Sequence, residues 1–181
     1  FQKALRSLEI GLHGFESGSL ADKKLDKSEL RAGLARPSAE RPLFLHKAFD
    51  AGFSAQDITE ASAIDLWFTQ QLQSIFQREQ ELRDASLSTI QDESLRLAKE
   101  EGFSDRQLAD FWKVGLQEVL ERREKAGIRT TFRLVDTCAA EFAAETPYYY
   151  SSYGDENEIA QSDKKKIMIL GGGPNRIGQG I

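Results

Sequence analysis

Cysteine and histidine are scarce, and their scarcity excludes two classes at once. The lone Cys138 cannot build a disulfide framework, and two histidines on distant segments, His13 and His46, cannot complete a Cys/His zinc site. No run approaches the ~20 apolar residues of a membrane span, and no signal-peptide pattern is visible. Phe1 is not an initiator residue, so the missing signal carries little weight. Basic excess is lacking too: 24 Lys and Arg against 29 Asp and Glu leave a net charge of -5, which argues against a general nucleic-acid binder. Near-absence of cysteine fits a reducing compartment, and the chain is read as cytoplasmic. What the sequence does have is apolar surface, 40% of its residues including eleven Phe, enough for a sizeable core.

Residues 1 to about 128 read as helices joined by short loops. Phe1, Ala4, Leu5 and Leu8 sit at helical spacing, and Gly11 stands where a helix would end in the left-handed conformation. Residues 14–25 are polar loop. A short helix over 26–35 precedes Pro37, and Pro42 fits the first turn of a helix over 41–51 that Gly52 closes. An internal echo follows. Gly52, Phe53 and Ser54 recur as Gly102, Phe103 and Ser104, with Asp57 or Gln107 three residues beyond the serine. Glycine ends one helix, phenylalanine packs back on it, and serine caps the next with a capping box. A DNA-reading helix-turn-helix is disfavoured, because the residues after each turn are acidic or neutral. Between the echoes the longest helix is expected over 63–85, started by Ser62 with Asp65. Ile64, Trp67, Phe68, Leu72, Ile75, Phe76, Glu79 and Leu82 recur there at steps of three and four. That broad aromatic face is read as core, with an oligomer contact as the alternative. Further helices are expected over 88–101 and 116–126, the latter ended by Gly127.

At Ile128 the character changes. Residues 130–137 are β-branched and extended in flavour, 138–142 are small and apolar, and 147–153 are a tyrosine-rich strand or crossover. Residues 154–166 look like a solvated linker. Ile167 to Leu170 is a short apolar run of the kind that makes a buried strand, and five glycines follow within ten residues. The fold class is therefore all-α, about six to eight helices, followed by an extended crossover and the first strand of an α/β domain. The organisation is a helical domain over 1–150, a linker over 151–165, and a truncated start of another unit over 166–181.

The glycine turn is the one candidate ligand site. Gly173 to Gly178 has the spacing of a phosphate-binding P-loop, but Gln179 stands in place of the lysine and Gly180 in place of the hydroxyl that holds magnesium. A dinucleotide fingerprint from Gly171 and Gly173 fails because Arg176 stands where glycine or alanine is needed. What remains is a turn of Gly171, Gly172, Gly173, Asn175, Arg176, Gly178, Gln179 and Gly180 that could touch a phosphate or line a passage. The alternative is that the glycines only permit close backbone approach. Upstream, Cys138 has no histidine nearby, neither histidine has an identifiable carboxylate partner, and Asp136 with Glu141 reads as structural anchoring. No catalytic or metal-binding residue is expected in this piece.

Longer motifs then come into view. Val135-Asp-Thr-Cys-Ala-Ala-Glu-Phe142, Thr146-Pro-Tyr148, Tyr150-Ser-Ser-Tyr153 and Gly171-Gly-Gly-Pro-Asn-Arg-Ile-Gly-Gln-Gly-Ile181 resemble the large subunit of carbamoyl-phosphate synthase. The resemblance runs back through Gly102-Phe-Ser-Asp105, Ile64-Asp-x-Trp-Phe68, Glu40-Arg41, Ala48-Phe49 and Ala51-Gly52 to Leu5-x-x-Leu8-Glu9, and is loose over 16–38. It implies a ligase that makes carbamoyl phosphate from bicarbonate, ATP and glutamine-derived ammonia, for arginine and pyrimidine synthesis. Such an enzyme uses ATP, Mg or Mn, and K, and binds a glutaminase small subunit. Residues 1–150 would be its helical oligomerization domain, self-associating and without catalysis of its own. Residues 166–181 would open the second synthetase half. Two other classes stay open on the residues alone. One is a free-standing helical protein-binding module, and the other a nucleotide-binding enzyme built on the glycine turn.

Overall fold

The computed structural model describes residues 1–143, 148–160 and 162–168. Among these residues there are eight α-helices and one two-stranded antiparallel sheet. The helices are α1 (Gln2–Ser7), α2 (Lys27–Ala35), α3 (Arg41–Asp50), α4 (Ala55–Ser62), α5 (Leu66–Asp84), α6 (Asp92–Glu100), α7 (Asp105–Trp112) and α8 (Leu116–Lys125). A single 3-10 turn, Gly18–Leu20, lies in the loop before α2. The strands are β1 (Thr131–Leu134) and β2 (Tyr149–Ser152), in register Thr131 to Ser152 through Leu134 to Tyr149. The chain is mostly helical, as its periodicity requires.

Local chemistry explains most helix ends. Asp26 and Glu29 form a capping box on α2, the aspartate accepting from the Ser28 and Glu29 amides while the glutamate accepts from the Asp26 amide. Pro42 occupies the first turn of α3. At three helix ends the chain leaves through the same two-bond cap. The amides of Phe53, Phe103 and Ile128 donate to the carbonyls of Ala48, Ala98 and Arg123, across glycines at φ 84°, 92° and 69°. Gly33 has a different reason to be glycine. Inside α2 it costs about 1 kcal/mol of helix propensity, yet a Cβ there would stand 2.2 Å from the Phe44 ring. α2 and α3 pack through that gap.

The two larger of three apolar cores among the described residues lie along one beam, the small third being Leu12, Leu20 and Leu43. The first gathers Leu5, Phe15, Leu30, Leu34, Leu45, Ala48, Phe49, Phe53, Ile58 and Leu72. The second gathers Leu82, Ile90, Leu95, Ala98, Phe103, Leu108, Ala109, Trp112, Val119 and Ile128. α5 belongs to both, with Leu72 in the first, Leu82 in the second, and Ile75 packed against each. Trp112 Nε1 donates to the Leu82 carbonyl at 2.8 Å, satisfying one of the orphan carbonyls at the end of α5.

Several expectations need correction. α1 stops at Ser7, and Glu9 rather than Gly11 is the first residue to turn left-handed (φ 54°). Its inward face is Gln2 and Leu5, while Phe1, Ala4 and Leu8 are exposed. Gln2 goes inside because its amide is satisfied there, donating to the Glu101 carbonyl and accepting from the Phe15 amide. α5 begins at Leu66, three residues later than expected. Asp65 is its cap, while Ser62 ends α4 and Ala63 takes the left-handed conformation (φ 57°). α6 likewise starts at Asp92 rather than at 88, because Ser86 and Thr89 close a separate turn. The 138–142 segment is not packed: Phe142 is 74% exposed, and the turn is held by Asp136 accepting from the Cys138 and Ala140 amides. Ile167 and Met168 are exposed and in no strand, while the rest of that apolar run lies outside the described residues. The linker is not merely solvated. Asn157 Oδ1 and Glu158 Oε2 accept from the Phe132 and Leu134 amides, so side chains cover the free edge of β1.

Candidate functional site

Trp67 and Phe68 stand together at the start of α5. The periodicity that seats Leu72 in the first core carries these two outward: they are 59% and 57% exposed. Their rings meet edge to face with centroids 4.9 Å apart. Of the residues expected on this face, Leu72 is buried, Ile64 and Phe76 are half-buried, and Trp67 and Phe68 lie outside both cores. The buried position beside them is Thr69, whose hydroxyl donates to the Leu66 carbonyl and meets that of Thr59 on α4. The aromatic pair therefore adds little to either core.

A polar seam is buried further along the same helix. His46 on α3 has Nε2 2.8 Å from Glu79 Oε2 and Nδ1 2.7 Å from Ser17 Oγ. Arg83 Nε donates to the other glutamate oxygen at 2.8 Å. The Ser17 hydroxyl, the imidazole and the Glu79 carboxylate thus form one continuous buried chain, in which the donor at Nδ1 follows from the tautomer. Burial pushes the Glu79 carboxyl up, but the bonds and charges of His46 and Arg83 outweigh it and hold the group below its ordinary range. Burial pushes neighbouring Glu16 up, and the Glu79 charge adds to it. A cavity of about 490 Å³ opens beside the seam, between the 16–21 loop, α3, α5 and α7. Serine, histidine and glutamate in line have the order of a nucleophilic triad. Here Ser17 is buried, and Phe15 and Phe76 meet the imidazole edge to face at 5.1 and 5.3 Å. The seam ties a loop to two helices.

This network went unread in the sequence, although one signal for it was present. Glu79 falls on the otherwise apolar stripe of α5, and an acid on a buried face requires a partner. Nothing local names His46 as that partner. The two corners, Gly52-Phe53-Ser54 and Gly102-Phe103-Ser104, carry full capping boxes with Asp57 and Gln107. They lie on different helices and form no common site. Cys138 is a free, half-buried thiol. The glycine turn, from Gly171 through Gly180, lies outside the described residues. Among the described residues no three of His, Cys, Asp and Glu are grouped to hold a metal ion, and no helix is long and apolar enough to cross a membrane.

Residues 1–127 match the family described as carbamoyl-phosphate synthetase large chain, oligomerisation domain. The chain belongs to this family. The matched span closes at Gly127, the left-handed residue that ends α8, so the family's unit and the helical body coincide. Curated relatives extend the likeness over the whole chain. The carbamoyl phosphate synthase large chain of Neisseria meningitidis serogroup B is 50% identical over 181 residues, all of this chain and 16% of that protein. The same-named chain of Archaeoglobus fulgidus is 45% identical over 184 residues, 99% of this chain and 17% of its own length. The arginine-specific chloroplastic large chain of Arabidopsis thaliana is 45% identical over 181 residues, covering 15% of that protein. The chain thus spans about a sixth of the length of the relatives it matches.

Proposed function

We propose that residues 1–150 are the assembly and connector domain of a carbamoyl-phosphate synthase large subunit, and that they self-associate through the Trp67–Phe68 face of α5. The family's own description names oligomerisation, and the observation that carries the surface is the exposure of two adjacent large aromatics on the longest helix. In the whole protein, this unit would hold the synthetase halves in a fixed relation, with 151–165 as linker and 166–181 opening the second half. The activity proposed for the whole protein is ATP-dependent ligation of bicarbonate and glutamine-derived ammonia into carbamoyl phosphate, serving arginine and pyrimidine synthesis in the cytoplasm. A glutaminase small subunit is its proposed partner. ATP, Mg or Mn, and K belong to that activity. The described residues offer no fitting donor set for a metal, and no chemical step is assigned to them. A free-standing binding module gains no support from relatives about six times longer.

Sedimentation of the 181-residue chain over a concentration series tests the surface. Self-association is expected, and Trp67→Ala or Phe68→Ala should abolish it while moving the unfolding free energy by less than about 0.5 kcal/mol. A chain that stays monomeric at high micromolar concentration would remove self-association from the proposal. A loss of several kcal/mol would return Trp67 to the core. Calorimetry with ATP and magnesium tests the turn. The isotherm is expected to be the same for the parent chain and Arg176→Ala, and saturable binding that this substitution abolishes would make the turn a site in its own right.

A further inference from the structure

A second cavity, of about 390 Å³, lies where α1, the α6–α7 corner and the β1–β2 hairpin meet. That volume is in the range of small-ligand sites (roughly 300–1,000 Å³). Its lining holds three cations, Lys3, Arg6 and Lys99, against Glu100 and Asp105, on a chain whose net charge is -5. Lys3 Nζ reaches the Ser151 carbonyl and Oγ, each at 3.2 Å. Arg6 Nη1 donates to the Gly102 carbonyl at 2.8 Å and the His13 carbonyl at 3.2 Å. Neither cation pairs with a carboxylate among the described residues, and the Nε and Nη2 groups of Arg6 have no partner there. Behind them, Lys99 and Arg123 share a single carboxylate, Asp105, at 2.8 and 3.4 Å. Arg123 Nε and Asp105 Oδ1 are buried and held by these ion pairs alone. Three cations, Lys3, Arg6 and Lys99, thus line the cavity against two carboxylates, Asp105 and the exposed Glu100, with Arg123 behind Asp105, and the lining keeps an excess of positive charge.

We propose that this seam binds a small dianion, inorganic phosphate or a phosphomonoester, between Lys3 and Arg6. The excess positive charge of the lining favours an anion, and a guanidinium beside an ammonium is the donor set that grips a phosphoryl oxygen cluster. Ser151 Oγ accepts from Lys3, which leaves its own proton free to donate to the ligand. Burial lowers both the Arg6 guanidinium and the Lys99 amine below their ordinary values, and at Lys99 repulsion from Arg123 and Arg6 adds to it. An anion in the cavity relieves that repulsion. It also bridges α1 to β2, segments 148 residues apart at the Lys3–Ser151 contact, and so fastens the hairpin to the helical body. The site stands apart from the self-association surface on α5.

Calorimetric titration of the 181-residue chain with sodium phosphate and with glycerol phosphate, against sodium chloride at equal ionic strength, tests it. One saturable site per chain is expected, weakened about tenfold or more by Arg6→Gln and by Lys3→Gln. Amide exchange over Tyr149–Ser152 should slow in phosphate. Arg6 also holds the Gly102 carbonyl, so if its variant loosens the fold, Lys3→Gln on the exposed rim carries the test. Tighter binding of glycerol phosphate identifies a monoester site, and equal binding identifies a site for phosphate itself. Absence of saturable heat overturns the proposal. So does binding that survives both substitutions, or binding that chloride removes at matched ionic strength.

Discussion

Around Gly52 and around Gly102 the backbone makes the same excursion, fifty residues apart. A glycine at φ 84° or 92° ends a helix, a phenylalanine turns back onto it, and a serine caps an eight-residue helix. That second helix then closes with a non-glycine residue in the left-handed conformation, Ala63 at φ 57° or Lys113 at φ 55°. The surroundings differ. Ser54 faces solvent, and its bonds are all within the corner, to Asp57. The second corner is a docking node. Gln2 donates to the Glu101 carbonyl, Arg6 to the Gly102 carbonyl, Ser104 Oγ to the His13 carbonyl, and Gln107 to Gln2. Identical local rules thus build a free corner in one half and the seat of the N-terminal helix in the other.

The largest expected difference lies at the two phenylalanines. Phe103 is fully buried in the second core, whereas Phe53 is covered on one side by the Arg31 guanidinium, 5.3 Å from its centroid. Phe103→Ala should cost about 3–5 kcal/mol in urea unfolding, and Phe53→Ala at least about 1 kcal/mol less, since the long Arg31 side chain over its ring can move into the space. Equal losses would break the comparison.

The polar seam comes next and belongs to the first half. Glu79→Ala strands the buried His46 imidazole and should cost about 3 kcal/mol at neutral pH. The pH dependence has a definite sign. The folded Glu79 carboxyl sits below its ordinary value of 4.5, so its contribution is complete above that pH and fades as pH falls through the folded value. Unfolding measured at about pH 6 and about pH 3 should show the gap between the parent chain and Glu79→Ala closing in acid. A constant gap would mean that Glu79 acts by packing alone.

The smallest effects discriminate most finely between the corners. Ser54→Ala removes only a cap, about 1 kcal/mol. Ser104→Ala removes a cap and the bond to the His13 carbonyl, so about 2 kcal/mol is expected. If the two substitutions cost the same, α1 is not fastened through Ser104. Thermal or urea midpoints resolve a difference of that size.

The sequence by itself determined what short-range chemistry determines. It placed the glycine-phenylalanine-serine corners, the short helix before Pro37, Pro42 in the first turn of α3, and Gly127 closing α8, because each depends on residues within one or two helical turns. It also set the helical class through the spacing of apolar positions. Ala63 was not legible as a left-handed residue, since alanine carries no mark of that conformation, and α5 was accordingly expected three residues too early. Trp67 and Phe68 were read as core and face water instead, because periodicity fixes which residues share a face but not whether a neighbour covers it. Glu79 announced a need without naming its partner. The pairing with His46, the seat of α1 against the second corner, and the convergence of Lys3, Arg6, Lys99 and Arg123 were decided by tertiary structure alone. Each joins residues far apart in the chain, and no local preference encodes which distant side chain will satisfy a buried charge.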